Sequence, residues 1–318
     1  MAIAGIGQIC STSSMAHNLE QCVRLMSKAA AAGAKVLFLP EASDYIAGSP
    51  QESLALAKPV AQSPFVQGLQ SAAKTHSLAV HVGIHVPVPV APAPAAGPAV
   101  VPTRPSSAEE SAQEQQQQQQ TKLFNRVIYI DADGALRDAA SYDKLHLFDY
   151  KNLRESAHTQ AGAAVVTPFD TPVGRVGPLI CFDLRFPEPS LRLGHPPARL
   201  GWPGGPAQVI TYPSAFTVAT GRAHWEVLLR ARAIESQCWV VAAAQVGNHN
   251  ERRVSYGRSM VVDPWGRVKC LLKGVAEDGS VEEGAVGELG LVDIDLEEWE
   301  KVRANMPLVR RTDVYPEI

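Results

Sequence analysis

The stretch between Gly177 and Pro189 constrains the fold of this chain more than any other. A short apolar run, Gly-Pro-Leu-Ile, leads to Cys181, and the turn-forming residues Phe-Asp-Leu-Arg-Phe-Pro-Glu-Pro follow at once. Scaffolds of the α/β type present a nucleophile in this way, at the point where a buried strand gives way to a turn. The sequence therefore predicts a buried strand that ends at Cys181, and it makes this cysteine the candidate nucleophile.

Strand-like and helix-like segments alternate along the 318 residues, which is typical of the α/β class. A chain of this length can fold as one unit, so we expect a single domain over residues 1–318. Helical spacing of apolar side chains predicts helices over residues 15–32, 65–76, 188–193 and 224–236. Apolar runs predict strands over residues 3–10, 36–39, 79–86, 124–130, 165–169, 177–181, 209–213, 239–244, 259–262 and 287–294.

Three segments depart from this alternation. Residues 87–120 are rich in Pro, Ala and Val and end in a run of glutamines, a composition that buries too little apolar surface to become ordered. We expect an exposed, disordered insertion there; a partner-binding role for the glutamines is the alternative. Residues 194–206 are rich in Pro and Gly, and a charged C-terminal tail is expected from about residue 296.

Composition excludes several classes of partner. The formal net charge is −3 and the basic residues are scattered, so we expect no nucleic-acid partner. No apolar run approaches the roughly 18 residues of a membrane span, so we expect no membrane association. The five cysteines are odd in number and form no Cys-x-x-Cys pair, which argues against a disulfide framework and a zinc ribbon. A reducing compartment suits them: we expect the cytoplasm, with a mitochondrial form also open.

Two further side chains could make the Cys181 thiol reactive. A thiol that attacks an amide needs a base for its proton and a cation or donor for the developing oxyanion. Glu41 follows the apolar run 36–39 and a proline, which places a carboxylate at the carboxyl end of a strand, and Lys144 stands among apolar neighbours. The alternatives are a solvated loop acid, a lysine that reaches to water, and an inert buried cysteine.

Histidines give no competing site. His146 and His224 could each be structural, and neither indicates a Cys–His pair of the papain type. His81 and His85 would share one face of a strand, but no third ligand accompanies them, so we expect no metal.

The order Glu41, Lys144, Cys181 resembles the nitrilase superfamily of carbon–nitrogen hydrolases, through Pro-Glu41, Lys144-Leu-His-Leu-Phe and Cys181-Phe-Asp-Leu-Arg-Phe-Pro-Glu. The resemblance implies a Glu-Lys-Cys triad on these three residues, a second glutamate at Glu155 and no cofactor. It also implies a four-layer α-β-β-α sandwich and a homodimer formed through the outer helices.

Later segments, among them Thr-Tyr-Pro-Ser-Ala-Phe216 and Ala-Ala-Ala-Gln-Val-Gly247, look most like the deaminated glutathione amidases of that superfamily. This implies hydrolysis of a small-molecule amide, deaminated glutathione, to 2-oxoglutarate and Cys-Gly through a cysteine thioester, as a metabolite repair reaction. An ω-amidase acting on 2-oxoglutaramate or 2-oxosuccinamate is the alternative among enzymes. A non-catalytic interaction protein on the same fold is the alternative from another class.

Four residues are candidates for substrate binding. Arg185 lies four positions after the nucleophile and could bind a substrate carboxylate, since a guanidinium binds carboxylates in a bidentate manner. Its alternative is a salt bridge to Glu188 or Asp183. The backbone N–H of Phe182 is expected to face the oxyanion, and Phe216 and Thr217 are expected in the pocket wall.

Overall fold

The computed structural model describes residues 2–90, 120–150 and 153–316 and contains two six-stranded sheets. The helices are α1 (Met15–Ala31), α2 (Pro50–Leu56), α3 (Pro64–His76), α4 (Pro187–Gly194), α5 (Val218–Ser236) and α6 (Leu296–Asn305). Single turns of 3₁₀-helix occupy Val60–Gln62, Asp138–Ala140, Glu155–Ala157, Cys181–Arg185 and Ala198–Leu200.

The strands are short, and most run for two to six residues. They are β1 (Ala2–Gly7), β2 (Val36–Phe38), β3 (Ala79–Val90), β4 (Gln120–Ile130), β5 (Tyr142–Asp143), β6 (Asp149–Tyr150), β7 (Leu153–Arg154), β8 (Phe169–Thr171), β9 (Gly174–Pro178), β10 (Val209–Thr211), β11 (Trp239–Ala242), β12 (Val246–Asn250), β13 (Arg253–Tyr256), β14 (Met260–Val262), β15 (Val268–Leu271) and β16 (Leu289–Ile294).

The two sheets share one plan. The first has the order β16-β1-β2-β3-β4-β5 and the second β15-β14-β11-β10-β9-β8. In each, three parallel strands, β1-β2-β3 or β9-β10-β11, stand between antiparallel neighbours. Strands β6 and β7 form one small hairpin outside the sheets, and β12 and β13 form another. Because parallel strands end at the same edge, each sheet gathers the turns that follow these strands at one side.

Alternation along the strands builds the layers of the sandwich. Phe38 of β2 and Val209 of β10 point between the sheets, where they meet Trp239 and Tyr129. Leu37, the neighbour of Phe38, points outwards onto α1 and α3, while outward residues of the second sheet meet α4 and α5. Side chains of a strand face opposite sides in turn, so the central strands β2, β10 and β11 are buried on both faces. The α-β-β-α sandwich expected from the resemblance is confirmed.

Capping explains where the main helices begin. Ser14 and Ser63 accept hydrogen bonds from His17 N and Val66 N at the starts of α1 and α3. Thr217 caps α5 in the same way, with Thr220 N as donor. This helix therefore begins at Val218, six residues before the predicted start at residue 224.

Several predicted boundaries are wrong. Residues 165–168 are not in a strand, and β9 ends at Pro178 instead of continuing to Cys181. Strands β3 and β4 pair from Val80–Ile130 outwards to Val90–Gln120, so both ends of the predicted 87–120 insertion belong to strands. Residues 91–119 lie outside the described residues.

The start of the predicted tail is a helix. Helix α6 buries Trp299 and Val302, and the Asp295 side chain caps it by accepting from Glu297 N and Glu298 N. Residues 306–316 follow it without regular secondary structure. None of the helices in the described ranges is long and apolar enough to cross a membrane.

Gly83 in β3 allows the chain after β2 to approach the sheet closely. A Cβ atom at this position would lie 2.6 Å from Glu41 Cα and 2.9 Å from the carbonyl oxygen of Pro40. Gly83 N donates to Pro40 O, and Ser43 N donates to Gly83 O, so the two backbones are tied together. Glycine is needed here because of space.

Gly83→Ala is expected to lower the free energy of unfolding by about 1–3 kcal/mol, because the added methyl group must displace backbone. Urea denaturation of the variant would measure this. Gly48→Ala is the matched control, since its Cβ would meet only the end of the Glu52 side chain, at 3.3 Å. Equal losses in the two variants would contradict the close approach at Gly83.

Candidate active site

Glu41 and Cys181 occupy corresponding places in the two sheets. Each is the third residue after the end of a parallel strand, β2 for Glu41 and β9 for Cys181. Cys181 has φ 45° and Ala42, next to Glu41, has φ 54°, which are left-handed conformations that non-glycine residues seldom adopt. Two sharp turns therefore present the carboxylate and the thiol from the facing edges of the sheets.

Lys144 joins this pair from a third segment. It follows β5, where its N–H donates to Asn125 O, and its side chain is only 2% exposed. Lys144 Nζ lies 3.0 Å from Glu41 Oε1 and 2.9 Å from Glu155 Oε2. The alternative of a lysine that reaches to water is therefore not observed, because Lys144 is buried between two carboxylates.

Glu155 is held by the turn that contains it. It begins the 3₁₀ turn after the β6–β7 hairpin, and its Oε2 accepts from Phe148 N at 2.6 Å. Its side chain is 19% exposed, compared with 5% for Glu41. The structure thus brings together Glu41, Lys144, Cys181 and Glu155, the four residues that sequence reasoning selected for catalysis.

Asn125 was missed by sequence reasoning. Its Nδ2 donates to Glu41 Oε1 at 2.6 Å and to Glu155 Oε1 at 3.2 Å, from a buried position on β4. The available signal was an amide at position 125 within a strand-like run, Phe-Asn-Arg-Val-Ile-Tyr-Ile. Asn125 fixes the separation of the two carboxylates that bind Lys144.

The ion pair sets the charge state of Glu41 and Lys144. Burial favours the neutral carboxyl of Glu41, but the Lys144 ammonium, the Cys181 thiol and the Asn125 amide outweigh it and hold the pKa of Glu41 below its usual range. Burial likewise opposes the charged amine, yet Glu155 and Glu41 raise the pKa of Lys144 well above its usual range. At neutral pH the pair is therefore a Glu41 carboxylate and a Lys144 ammonium.

The Cys181 thiol is neutral in this environment. Burial is the largest effect and the Glu41 charge the next, and together they raise the pKa of Cys181 far above its ordinary value despite the Lys144 ammonium. Oε2 of Glu41 is buried and has no hydrogen-bond partner among the residues that the structure describes. An unoccupied carboxylate oxygen next to a neutral thiol is the arrangement that general-base activation requires.

Asp183 fastens the turn of Cys181 to the segment of Lys144, and sequence reasoning gave it no such role. Its fully buried carboxylate accepts from Ile180 N at 3.0 Å, Tyr142 O–H at 2.7 Å and His146 N at 3.0 Å. His146 Nδ1 lies 2.8 Å from the same carboxylate, so this histidine is structural. The aspartate couples the positions of nucleophile and cation.

Gln245 was also missed, and it holds the backbone of Glu41 in place. This fully buried residue precedes β12, and its Nε2 donates to Glu41 O at 2.9 Å and to Ser11 Oγ at 2.7 Å. It stands in the apolar run Val-Val-Ala-Ala-Ala-Gln-Val, and this single amide was the available signal.

Arg185 and Phe182, two of the predicted substrate-binding residues, contact other side chains of the protein. Arg185 Nη2 lies 2.8 Å from His224 Nδ1, and its buried Nε has no hydrogen-bond partner in the described part of the chain. In the described ranges neither Glu188 nor Asp183 pairs with this guanidinium, so the salt-bridge alternative is not observed. The Phe182 ring contacts Phe148 edge-on, with 5.0 Å between ring centroids.

Phe216 and Thr217 lie at the start of α5. The buried Phe216 ring packs on Trp225, with ring centroids 4.8 Å apart. The Thr217 hydroxyl is occupied as the cap of α5. A structural role therefore accounts for the Thr217 side chain, and its predicted place in a substrate pocket remains untested.

The two strand histidines that were considered as metal ligands have other partners. His81 is buried with Nε2 3.2 Å from Thr211 Oγ1, and His85 Nδ1 is 3.0 Å from Asp44 Oδ1. Throughout the described ranges no three His, Cys, Asp or Glu side chains come together as a metal site.

Comparison with known proteins places this geometry in a family. A family model described as carbon-nitrogen hydrolase matches residues 2–304. A Schizosaccharomyces pombe protein named probable hydrolase nit2 is 39% identical, over 100% of both chains. Deaminated glutathione amidase of Rattus norvegicus is 39% identical, over 99% of this chain and 84% of that protein.

A solved structure supports the same assignment. The crystal structure of the Caenorhabditis elegans NitFhit protein superposes on this chain with a TM-score of 0.77, and the two sequences are 33% identical. The match covers 99% of this chain and 67% of that one. The resemblance found in the sequence is thus confirmed. The chain belongs to the carbon-nitrogen hydrolase family.

Proposed function

We propose that the chain hydrolyses the amide bond of deaminated glutathione and releases 2-oxoglutarate and Cys-Gly, with Cys181 as nucleophile, Glu41 as acid and base, and Lys144 as oxyanion cation. The observation that carries the catalytic part is the buried contact of Lys144 with Glu41 beside the neutral Cys181 thiol. The substrate is supported by full-length relatives that are named deaminated glutathione amidase. Because the chain is a carbon–nitrogen hydrolase by family, a purely non-catalytic role is not favoured.

Acylation begins with transfer of the Cys181 proton to Oε2 of Glu41. The sulfur attacks the amide carbon, and a carbon–sulfur bond forms while the carbonyl electrons move to oxygen. Lys144 and the backbone N–H of Phe182 stabilise this oxyanion; loss of one such donor costs about 3 kcal/mol in the barrier. Glu41 then passes the proton to the amide nitrogen and the carbon–nitrogen bond breaks. The amine leaves, and a thioester remains on Cys181.

Deacylation reverses the use of the same groups. Glu41 takes a proton from water, the resulting hydroxide attacks the thioester, and the carbon–sulfur bond breaks as the proton returns to sulfur. Glu155 keeps Lys144 in place for both steps, since its carboxylate contacts Nζ at 2.9 Å and is itself fixed by Phe148 N. Arg185, with its unpartnered Nε, is our candidate for the carboxylate of the 2-oxo acid.

Cys181→Ala is expected to reduce amide hydrolysis by at least about 10⁴-fold without changing the fold, because it removes the nucleophile. Mass spectrometry of the unaltered protein with deaminated glutathione should find an acyl adduct on Cys181. Cys270→Ala, a change at a partly exposed cysteine on β15, is the control. Retained activity in Cys181→Ala would remove this residue from the mechanism.

The pH profile should lack an acid limb near neutral pH. Glu41 must be ionised to accept the thiol proton, and despite burial the Lys144 ammonium holds the pKa of Glu41 below its usual range, so kcat/KM should be flat through the neutral range and fall only in acid. Steady-state kinetics in buffers of constant ionic strength would measure this. A limb near pH 6 or 7 would contradict the charge state assigned to the ion pair.

Glu41→Gln should lose about 10²–10⁴-fold in rate.

Arg185→Ala should raise KM for amides of 2-oxo acids about tenfold, and more than it raises KM for neutral aliphatic amides, because only the former carry the carboxylate. Initial-rate kinetics on a matched pair, 2-oxoglutaramate and butyramide, would test this. Equal increases for the two would favour a structural role through His224.

A further inference from the structure

The β12–β13 hairpin lies beside Glu41. Gln245, which leads into it, binds the backbone oxygen of Glu41. His249 Nδ1 lies 2.8 Å from Ser11 O, and Asn250 Nδ2 donates to Ala47 O at 3.4 Å. The hairpin is therefore fixed to the segments that follow β1 and β2, at the side of the sheet that carries the carboxylate.

Arg253 is the first residue of β13 and pairs with Asn250 across the hairpin. It is exposed, and in the parts of the chain that the structure describes its guanidinium forms no hydrogen bond or ion pair. Its partner across the hairpin, Asn250, binds Ala47 O in the loop that carries Glu41, so Arg253 lies on the Glu41 side of the site. In agreement with this, Arg253 is a minor contributor, after Lys144, to the lowered pKa of Glu41, and it adds to burial in lowering the pKa of His249. A cation with free donors thus stands on the Glu41 side of the site.

The direction of proton transfer says which part of a substrate lies on that side. Glu41 hands its proton to the departing nitrogen, so this nitrogen and its substituent must lie next to Glu41. Lys144 does not serve the substituent, because its ammonium is buried between Glu41 and Glu155 and is assigned to the oxyanion, on the carbonyl side of the scissile bond. A guanidinium with unused N–H groups suits a carboxylate at this position.

We propose that Arg253 is a specificity-determining residue that binds a carboxylate carried by the leaving amine. This inference rests on the proposed function, in which that group is the terminal carboxylate of Cys-Gly. It separates the two ends of the substrate: Arg185 serves the 2-oxo acid and Arg253 the leaving group.

The test compares deaminated glutathione with its terminal carboxamide, which differs only in that carboxylate. The ratio of their kcat/KM values is expected to favour the acid about tenfold in the unaltered protein, the effect of one charge-assisted hydrogen bond, and to approach one in Arg253→Gln. Arg252→Gln, which changes the exposed neighbour, should keep the ratio. An unchanged ratio in Arg253→Gln, or an equal loss on both compounds, would overturn the inference; the latter would mean that Arg253 acts through Glu41.

Binding measurements separate this inference from the proposed function. Calorimetry with Cys181→Ala, with and without Arg253→Gln, reports binding of the same two compounds without turnover. If the unaltered protein does not hydrolyse deaminated glutathione, the proposed function fails. The inference still stands if Arg253→Gln weakens binding of the acid about tenfold and leaves binding of the carboxamide unchanged. Absence of binding of either compound would overturn both.

Discussion

The candidate site depends on one ammonium buried between two carboxylates. Withdrawing these charges from water costs several kcal/mol per ion, and close contacts among them must offset that cost. Lys144 meets both Glu41 and Glu155 at hydrogen-bonding distance, and Asn125 donates to both acids. Without the lysine, two acids would share a buried space, and at least one would take up a proton. The same contact therefore holds three segments together and keeps Glu41 ionised.

Burial and the charges of this network together decide how the thiol can react. Burial is the largest cause of the raised pKa of Cys181 and the Glu41 carboxylate is the next, so the thiol remains protonated despite the Lys144 ammonium. Many reactive cysteines are instead thiolates at rest, stabilised by a neighbouring cation. Here sulfur gains its negative charge only as Glu41 takes the proton, which couples nucleophile formation to the presence of a substrate carbon to attack. The arrangement also leaves the resting thiol less open to adventitious alkylation and oxidation.

The sequence predicted the alternation of strands and helices. It also predicted two residues of the site, because parallel strands leave their carboxyl ends at the same side of a sheet. Glu41 and Cys181 could be found in this way, and Lys144 was proposed as a cation among apolar neighbours, whereas Glu155 was found only through family resemblance. Asn125, Asp183 and Gln245 were missed because a single polar residue inside an apolar run or turn has no periodicity, and only the fold shows what it contacts. Helix α6 was missed because its charged surface outweighs its two buried residues.

Rigid and adjustable parts of the site are spatially distinct. The turn of Cys181 is held in a left-handed conformation by Asp183 and by a hydrogen bond from its own N–H to Pro213 O, so nucleophile, cation and base share one stiff framework. Such conformations persist only where the surroundings over-determine them. Arg253 lies instead on a two-stranded hairpin outside both sheets. Changes at Arg253 can alter which leaving groups are accepted without displacing the side chains of the buried network, since the hairpin contacts the Glu41 loop at backbone oxygens, through the side chains of Gln245 and Asn250.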